Sequence, residues 1–197
     1  MKVLGFAGSP RVNGNTDLLL KEFMRGAADA GAETEIINIR KVRFDPCISC
    51  GRCMETGRCE VEDEFQPIYD KIVEADHIVL ASPIYFMGLS AWAKTLVDRC
   101  QCFWARKYKL NQPVPEYRGG LARRGVFIST AGSGVKQAFD GAIFSVKYFF
   151  DAIGVKYYKN LLYGNVDEKG AIKAHPTALK EAYEAGRGLV EDRTADL

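Results

Sequence analysis

The sequence offers little charge imbalance. Its 27 Lys and Arg stand against 25 Asp and Glu, a formal net charge of +2, which excludes the broad positive field that nucleic acid or an anionic lipid surface would need. Apolar runs such as 77–82 (HIVLAS) fall far short of the roughly 20 residues that cross a bilayer. No nucleic-acid or membrane partner is expected. Histidine is scarce: His77 precedes a strand-like run and His175 precedes Pro176, so neither has the neighbours of a hydrolytic triad or a histidine metal site. Repeats and low-complexity segments are absent, and strand-like sequence starts at the N-terminus without a signal-peptide pattern. A cytoplasmic protein is the expectation.

What is present is a core-forming composition, with 47% hydrophobic and 11% aromatic residues in a chain of 197. That suits one domain over 1–197. Short aliphatic runs alternate with segments of helical period, which predicts an α/β fold with a parallel sheet. Strands are expected at 2–7, 33–39, 77–81 and 125–130 and within 155–166, the second of them at an edge. Helices are expected from a cap at Asn15 or Thr16 to Gly31, over 62–75, after a Ser90 cap, over 139–153 and over 176–190. Two interruptions stand out: a cysteine-rich loop insertion at about 44–61, and a broken, basic and aromatic excursion at about 103–124 that reads as a lid or subunit interface. Arg118, Arg123 and Arg124 read as a solvated face, open to a dinucleotide phosphate or a ferredoxin.

In an open parallel sheet, ligands bind beyond the carboxyl ends of the strands where strand order reverses. The first such loop, Gly8-Ser-Pro-Arg-Val-Asn-Gly-Asn-Thr16, runs from a strand into a helix N-terminus and offers backbone N–H groups and hydroxyls to an anion. It lacks the lysine of a nucleoside-triphosphate loop, Asn15 standing there, and it lacks the glycine spacing of a dinucleotide fingerprint. One terminal phosphate is the better fit; a plain strand-to-helix turn is the alternative. The second loop, Ser82-Pro-Ile-Tyr-Phe-Met-Gly-Leu-Ser90, is apolar where surface loops are polar, although Tyr85 and Phe86 also suit ordinary core positions. The third, Ser129-Thr-Ala-Gly-Ser-Gly134, is small and polar. Together the loops describe a site for a flat heteroaromatic ring on a phosphorylated tail, which FMN satisfies.

With Gly8-Ser-Pro-Arg, Gly14-Asn-Thr and Ser82-Pro-Ile-Tyr-Phe in this order, the sequence resembles the flavodoxin-like NAD(P)H-dependent FMN reductases over most of its length. The resemblance implies a flavodoxin-like three-layer sandwich with a five-stranded parallel sheet, order 2-1-3-4-5, and helices on both faces. It implies that Ser9, Arg11, Asn13, Asn15 and Thr16 hold phosphate and ribityl. Pro83, Ile84, Tyr85, Phe86, Met87 and Gly88, with Thr130, Ala131, Gly132 and Ser133, would then frame the ring. No catalytic side chain is implied, because the cofactor carries the chemistry.

Cys47, Cys50, Cys53 and Cys59 form a C-x2-C-x2-C-x5-C pattern. In a reducing compartment such a group reads as metal or redox chemistry rather than a disulfide framework. Its tightness favours a [4Fe–4S] cluster over zinc, with free or oxidised thiols the third choice. It departs from the bacterial ferredoxin run in the five residues before Cys59 and in Glu60, which replaces the usual proline. It resembles the iron–sulfur flavoproteins, a branch of the same family. Cys100 and Cys102 lack such spacing and read as packing residues. The resemblance implies a homodimer or homotetramer exchanging electrons with ferredoxin, NAD(P)H or a small-molecule acceptor. Two alternatives stand beside it: an NAD(P)H-dependent FMN or quinone reductase without a cluster, and a non-enzymatic flavodoxin-like carrier.

Overall fold

A computed structural model describes residues 1–118, 120–135 and 137–192. Residues 193–197 of the charged tail, with Gly119 and Lys136, lie outside the described residues. In chain order the strands are β1 (Lys2–Ala7), β2 (Glu33–Asn38), β3 (His77–Tyr85), β4 (Gly88–Leu89), β5 (Tyr117–Arg118), β6 (Leu121–Ala122), β7 (Arg124–Thr130) and β8 (Lys156–Tyr163). Five of them pair in parallel in the order β2-β1-β3-β7-β8, the order expected for the long strands. The sheet gains a sixth strand because β4 folds back antiparallel on the end of β3. β5 and β6 form a separate hairpin.

Alternation along β1 explains the two helical layers. Leu4 and Phe6 join a core under α3 (Gln66–Glu74), α4 (Ala91–Arg99) and α6 (Asp140–Ala152). Val3 and Ala7 face the other way, toward α1 (Asn15–Asp29) and α7 (Ala178–Glu191). Central β7 is buried along its whole length, whereas β2 is half-exposed, as suits an edge. α1 and α7 approach until their backbones touch: a Cβ on Gly26 would lie 2.0 Å from the Tyr183 carbonyl oxygen, and one on Gly186 1.9 Å from that of Phe23. Only glycine permits that contact.

Several expectations shift. Gly14, not Asn15 or Thr16, is the N-cap of α1, and no side chain caps it. The helix expected over 62–75 begins at Gln66, because Asp63 is drawn away to a buried arginine. Ser90 does cap α4, accepting from the Ala93 N–H at 3.2 Å. The excursion is partly regular and partly buried. It opens with α5 (Gln101–Trp104) and a π-helical turn (Ala105–Lys109), and it contributes Phe103, Ala105 and Val114 to the buried interior. Arg123 and Arg124 are not a solvated face either, being 1% and 3% exposed. Arg123 serves carbonyls left over at element ends, donating to Ala75, Pro115 and Ile153 at 2.8–3.0 Å and also to Ile72. Burial, and then the neighbouring Arg118, push its pKa down to about 10.

Candidate functional site

Three loops converge at the carboxyl edge of the sheet. Ser9, Arg11, Asn15 and Thr16 line one cleft with Pro83, Ile84 and Tyr85 and with Thr130 and Gly132; Gly14, Val166 and Asp167 complete it. A chain of hydroxyls fixes their spacing. Ser90 Oγ donates to the Gly8 carbonyl at 2.5 Å, Ser82 Oγ accepts from the Ser90 N–H at 3.0 Å, and Ser129 Oγ donates to the Ser82 carbonyl at 2.7 Å. Gly8 has no room for a side chain, since a Cβ there would meet that of Ala93 at 2.8 Å.

The first loop is held by its own hydrogen bonds. Ser9 Oγ accepts from the Arg11 N–H at 3.1 Å, the Gly14 N–H donates back to Arg11 at 3.1 Å, and α1 begins without a side-chain cap. First-turn N–H groups of a helix lack partners within it, so those of α1 remain available beside Arg11 and Thr16. Asn13 adopts a left-handed φ of 54°, its N–H donating to Asp17 Oδ2 at 3.0 Å. Arg40, standing after β2, donates to the Ser9 carbonyl at 3.2 Å and to Asp17 at 3.4 Å. Burial raises the Asp17 carboxyl pKa against the opposing pull of Arg40. Sequence reasoning missed Arg40, whose position at a strand's carboxyl end was the available signal.

Not every expected residue lines this cleft. Asn15 lines it with its amide already engaged, donating to the Glu168 carbonyl at 3.0 Å and accepting from the Gly170 N–H at 2.9 Å. It positions the loop after β8 rather than presenting an open donor. That loop supplies Val166 and Asp167, which the sequence analysis did not single out; the polar turn Asn165-Val-Asp-Glu-Lys-Gly170 after a strand could have marked them. Asn13, Phe86, Met87, Gly88, Ala131 and Ser133 stand outside the lining. Phe86 and Met87 form the tip of the β3–β4 hairpin, with φ of 48° and 61°, and both are exposed. The cleft is small, about 50 Å³.

The cysteine loop, which contains the short helix α2 (Cys53–Thr56), makes a second centre. Cys47, Cys50, Cys53 and Cys59 line one cavity of about 420 Å³, joined by Arg99 and by Cys102, which packs in the core as expected and also reaches this cavity. Burial raises the Cys53 thiol pKa, and the other three thiols add to the effect. Burial, with Cys59 and Cys53 nearby, pushes the Cys102 thiol to about 12. Arg99 ties this loop to the core. Its guanidinium is fully buried, pairs with both oxygens of Asp63, donates to the Asp45 carbonyl at 2.9 Å and to Tyr69 Oη at 3.3 Å, and lies 5.1 Å from the Phe65 ring centroid. Burial would raise the Asp63 pKa, but hydrogen bonds from Arg99 and the Phe65 N–H hold it below the usual carboxylate value.

Among the described residues no three His, Cys, Asp or Glu side chains form a ready group for a single metal ion. The four motif thiols nevertheless line one cavity.

The family described as NADPH-dependent FMN reductase matches residues 1–140. An iron-sulfur flavoprotein of Methanocaldococcus jannaschii is 48% identical over 99 residues, 50% of this chain and 51% of that protein. One from Archaeoglobus fulgidus is 33% identical over 99 residues, 50% of this chain and 45% of its own length. The matched stretch thus spans about half the length of these relatives. The solved NAD(P)H:quinone oxidoreductase of Methanothermobacter marburgensis superposes with a TM-score of 0.70 at 17% identity, covering 96% of this chain and 98% of its own, a likeness of fold.

Proposed function

The chain belongs to the NADPH-dependent FMN reductase family, and from that premise we propose that it is an FMN-dependent oxidoreductase of the iron–sulfur flavoprotein type. It would pass electrons between a carrier, ferredoxin or NAD(P)H, and a small-molecule or protein acceptor. The carrying observation is the gathering of all four motif cysteines around one cavity in a domain of flavin-reductase fold. When bound, FMN supplies one- and two-electron transfer and a [4Fe–4S] cluster supplies single-electron transfer.

The chain's own residues bind and position. Ser9, Arg11 and Thr16, with the open N–H groups of α1, would take the phosphate. Pro83, Ile84 and Tyr85 would meet one side of the ring, and Thr130 and Gly132 would close its edge. Cys47, Cys50, Cys53 and Cys59 would hold the cluster, with Arg99 and Asp63 anchoring their loop. A homo-oligomer of cytoplasmic location fits this reading, and no helix among the described residues is long and apolar enough to cross a membrane.

A second reading is a flavin reductase with free thiols, favoured by the exposure of Cys47 and Cys50. One experiment separates the two: anaerobic purification, an ultraviolet–visible spectrum, and iron and acid-labile sulfide assays on the same sample. About four irons per chain beneath flavin bands support the cluster. Flavin without iron or sulfide leaves the reductase, and a protein with no affinity for FMN overturns both.

A further inference from the structure

Asp17 is a buried acid beside the loop assigned to a phosphate. It stands in the first turn of α1, where a carboxylate suits the helix dipole. It is 4% exposed, its Oδ1 has no hydrogen-bond partner among the described residues, and its neighbours Asn15 and Thr16 line the flavin cleft. Its Oδ2 accepts from the Asn13 N–H at 3.0 Å and from Arg40 Nη1 at 3.4 Å. A buried charge is costly unless it is paired.

Arg40 supplies the pairing. It comes from a 3-10 turn (Ile39–Lys41) at the carboxyl end of β2, its side chain is largely buried, and the same Nη1 donates to the Ser9 carbonyl at 3.2 Å. Two other cations of this region are engaged elsewhere: Lys21 Nζ donates to Asn13 Oδ1 at 2.7 Å, and Arg11 Nη1 to the Asp167 carbonyl at 2.8 Å. One guanidinium nitrogen therefore ties the Ser9 end of the loop to Asp17, and Asp17 ties on to Asn13, whose left-handed φ of 54° turns the chain back. Burial raises the Asp17 carboxyl pKa, and Arg40 is the next largest influence, lowering it.

We propose that Arg40 is a positioning residue for the flavin phosphate: it holds the Ser9 end of the loop and neutralises Asp17, whose buried charge would otherwise repel the phosphate. The proposal rests on the FMN reading above. It gives the two partners opposite signs. Without Arg40 the phosphate faces an unpaired carboxylate of like charge; without the Asp17 charge, the arginine's positive charge is left to attract it.

The test is equilibrium dialysis of the full chain against FMN and against riboflavin, which lacks the phosphate. Arg40→Met, which keeps the aliphatic stem, should raise Kd for FMN by about tenfold or more and leave that for riboflavin nearly unchanged. Asp17→Asn, which keeps the shape and an acceptor for the Asn13 N–H, should bind FMN at least as tightly as the unaltered chain. Asp17→Asn/Arg40→Met should recover much of the affinity lost in Arg40→Met. Lys41→Met, removing an exposed cation one residue on, should leave both Kd values unchanged. Equal weakening of FMN and riboflavin by Arg40→Met overturns the proposal, as does equal weakening by Lys41→Met. Weaker FMN binding in Asp17→Asn overturns it too, and this variant decides the matter if Arg40→Met does not fold. An unaltered chain that binds no FMN overturns the reading on which the proposal rests, whereas FMN binding that Arg40→Met leaves unchanged overturns the role of Arg40 alone.

Discussion

Arg99 and Asp63 are far apart in sequence and meet where the cysteine loop joins the core. Their pair is buried, with Arg99 fully so and Asp63 at 13% side-chain exposure. Removing one partner strands the other's charge, so Asp63→Asn should cost about 3–5 kcal/mol of stability in a urea titration. The sign of the pH effect follows from the lowered Asp63 value. Its contribution is complete above the ordinary carboxyl value of 3.8 and is lost as pH falls through the lower folded-state value, so the variant should flatten that acid limb. Asp17 has the opposite sign: its raised value means that ionisation costs stability as pH rises through it. Neither role was legible locally. Asp63 stands in sequence among Glu60, Glu62 and Glu64, and only the fold places a buried guanidinium beside it.

At the scale of elements, two close fits carry consequences. Gly186→Ala on α7 would drive a methyl into the Phe23 carbonyl of α1, and the forced separation should cost about 3 kcal/mol, checked by thermal denaturation. The β3–β4 hairpin shows the reverse situation. Phe86 and Met87 both sit in the left-handed region, where residues with a Cβ pay about 1–2 kcal/mol each and where Asn-Gly is the preferred pair. Replacing them by Asn-Gly should therefore raise stability by about 1–2 kcal/mol. If the exposed tip shelters flavin, the same variant should bind FMN more weakly. The strand period showed that β3 exists, but its continuation into a hairpin was hidden. Pro83 and Gly88 read as loop residues, and the pairing of Ile84 with Leu89 is a contact that the period does not encode.

For the whole molecule, FMN binding should appear as a change in global stability, because a ligand held only by the folded state stabilises by mass action. FMN at 100 times its Kd adds about 2.7 kcal/mol, which for a domain of this size raises Tm by about 5–10 °C. A Tm insensitive to FMN would count against the cleft. The sequence by itself determined the alternation of strands with helices and the cysteine motif, because each is written in local periodicity or in residues close along the chain; the strand order and the helices on both faces followed only from the family resemblance. Tertiary structure alone decided that Arg40 braces the loop after β1, that Val166 and Asp167 complete the cleft, that Cys102 lies beside the other thiols and that Arg123 is buried. Each of these is a meeting of residues distant in sequence, made when the parallel sheet brings the ends of its strands to a common edge and the helices close over it.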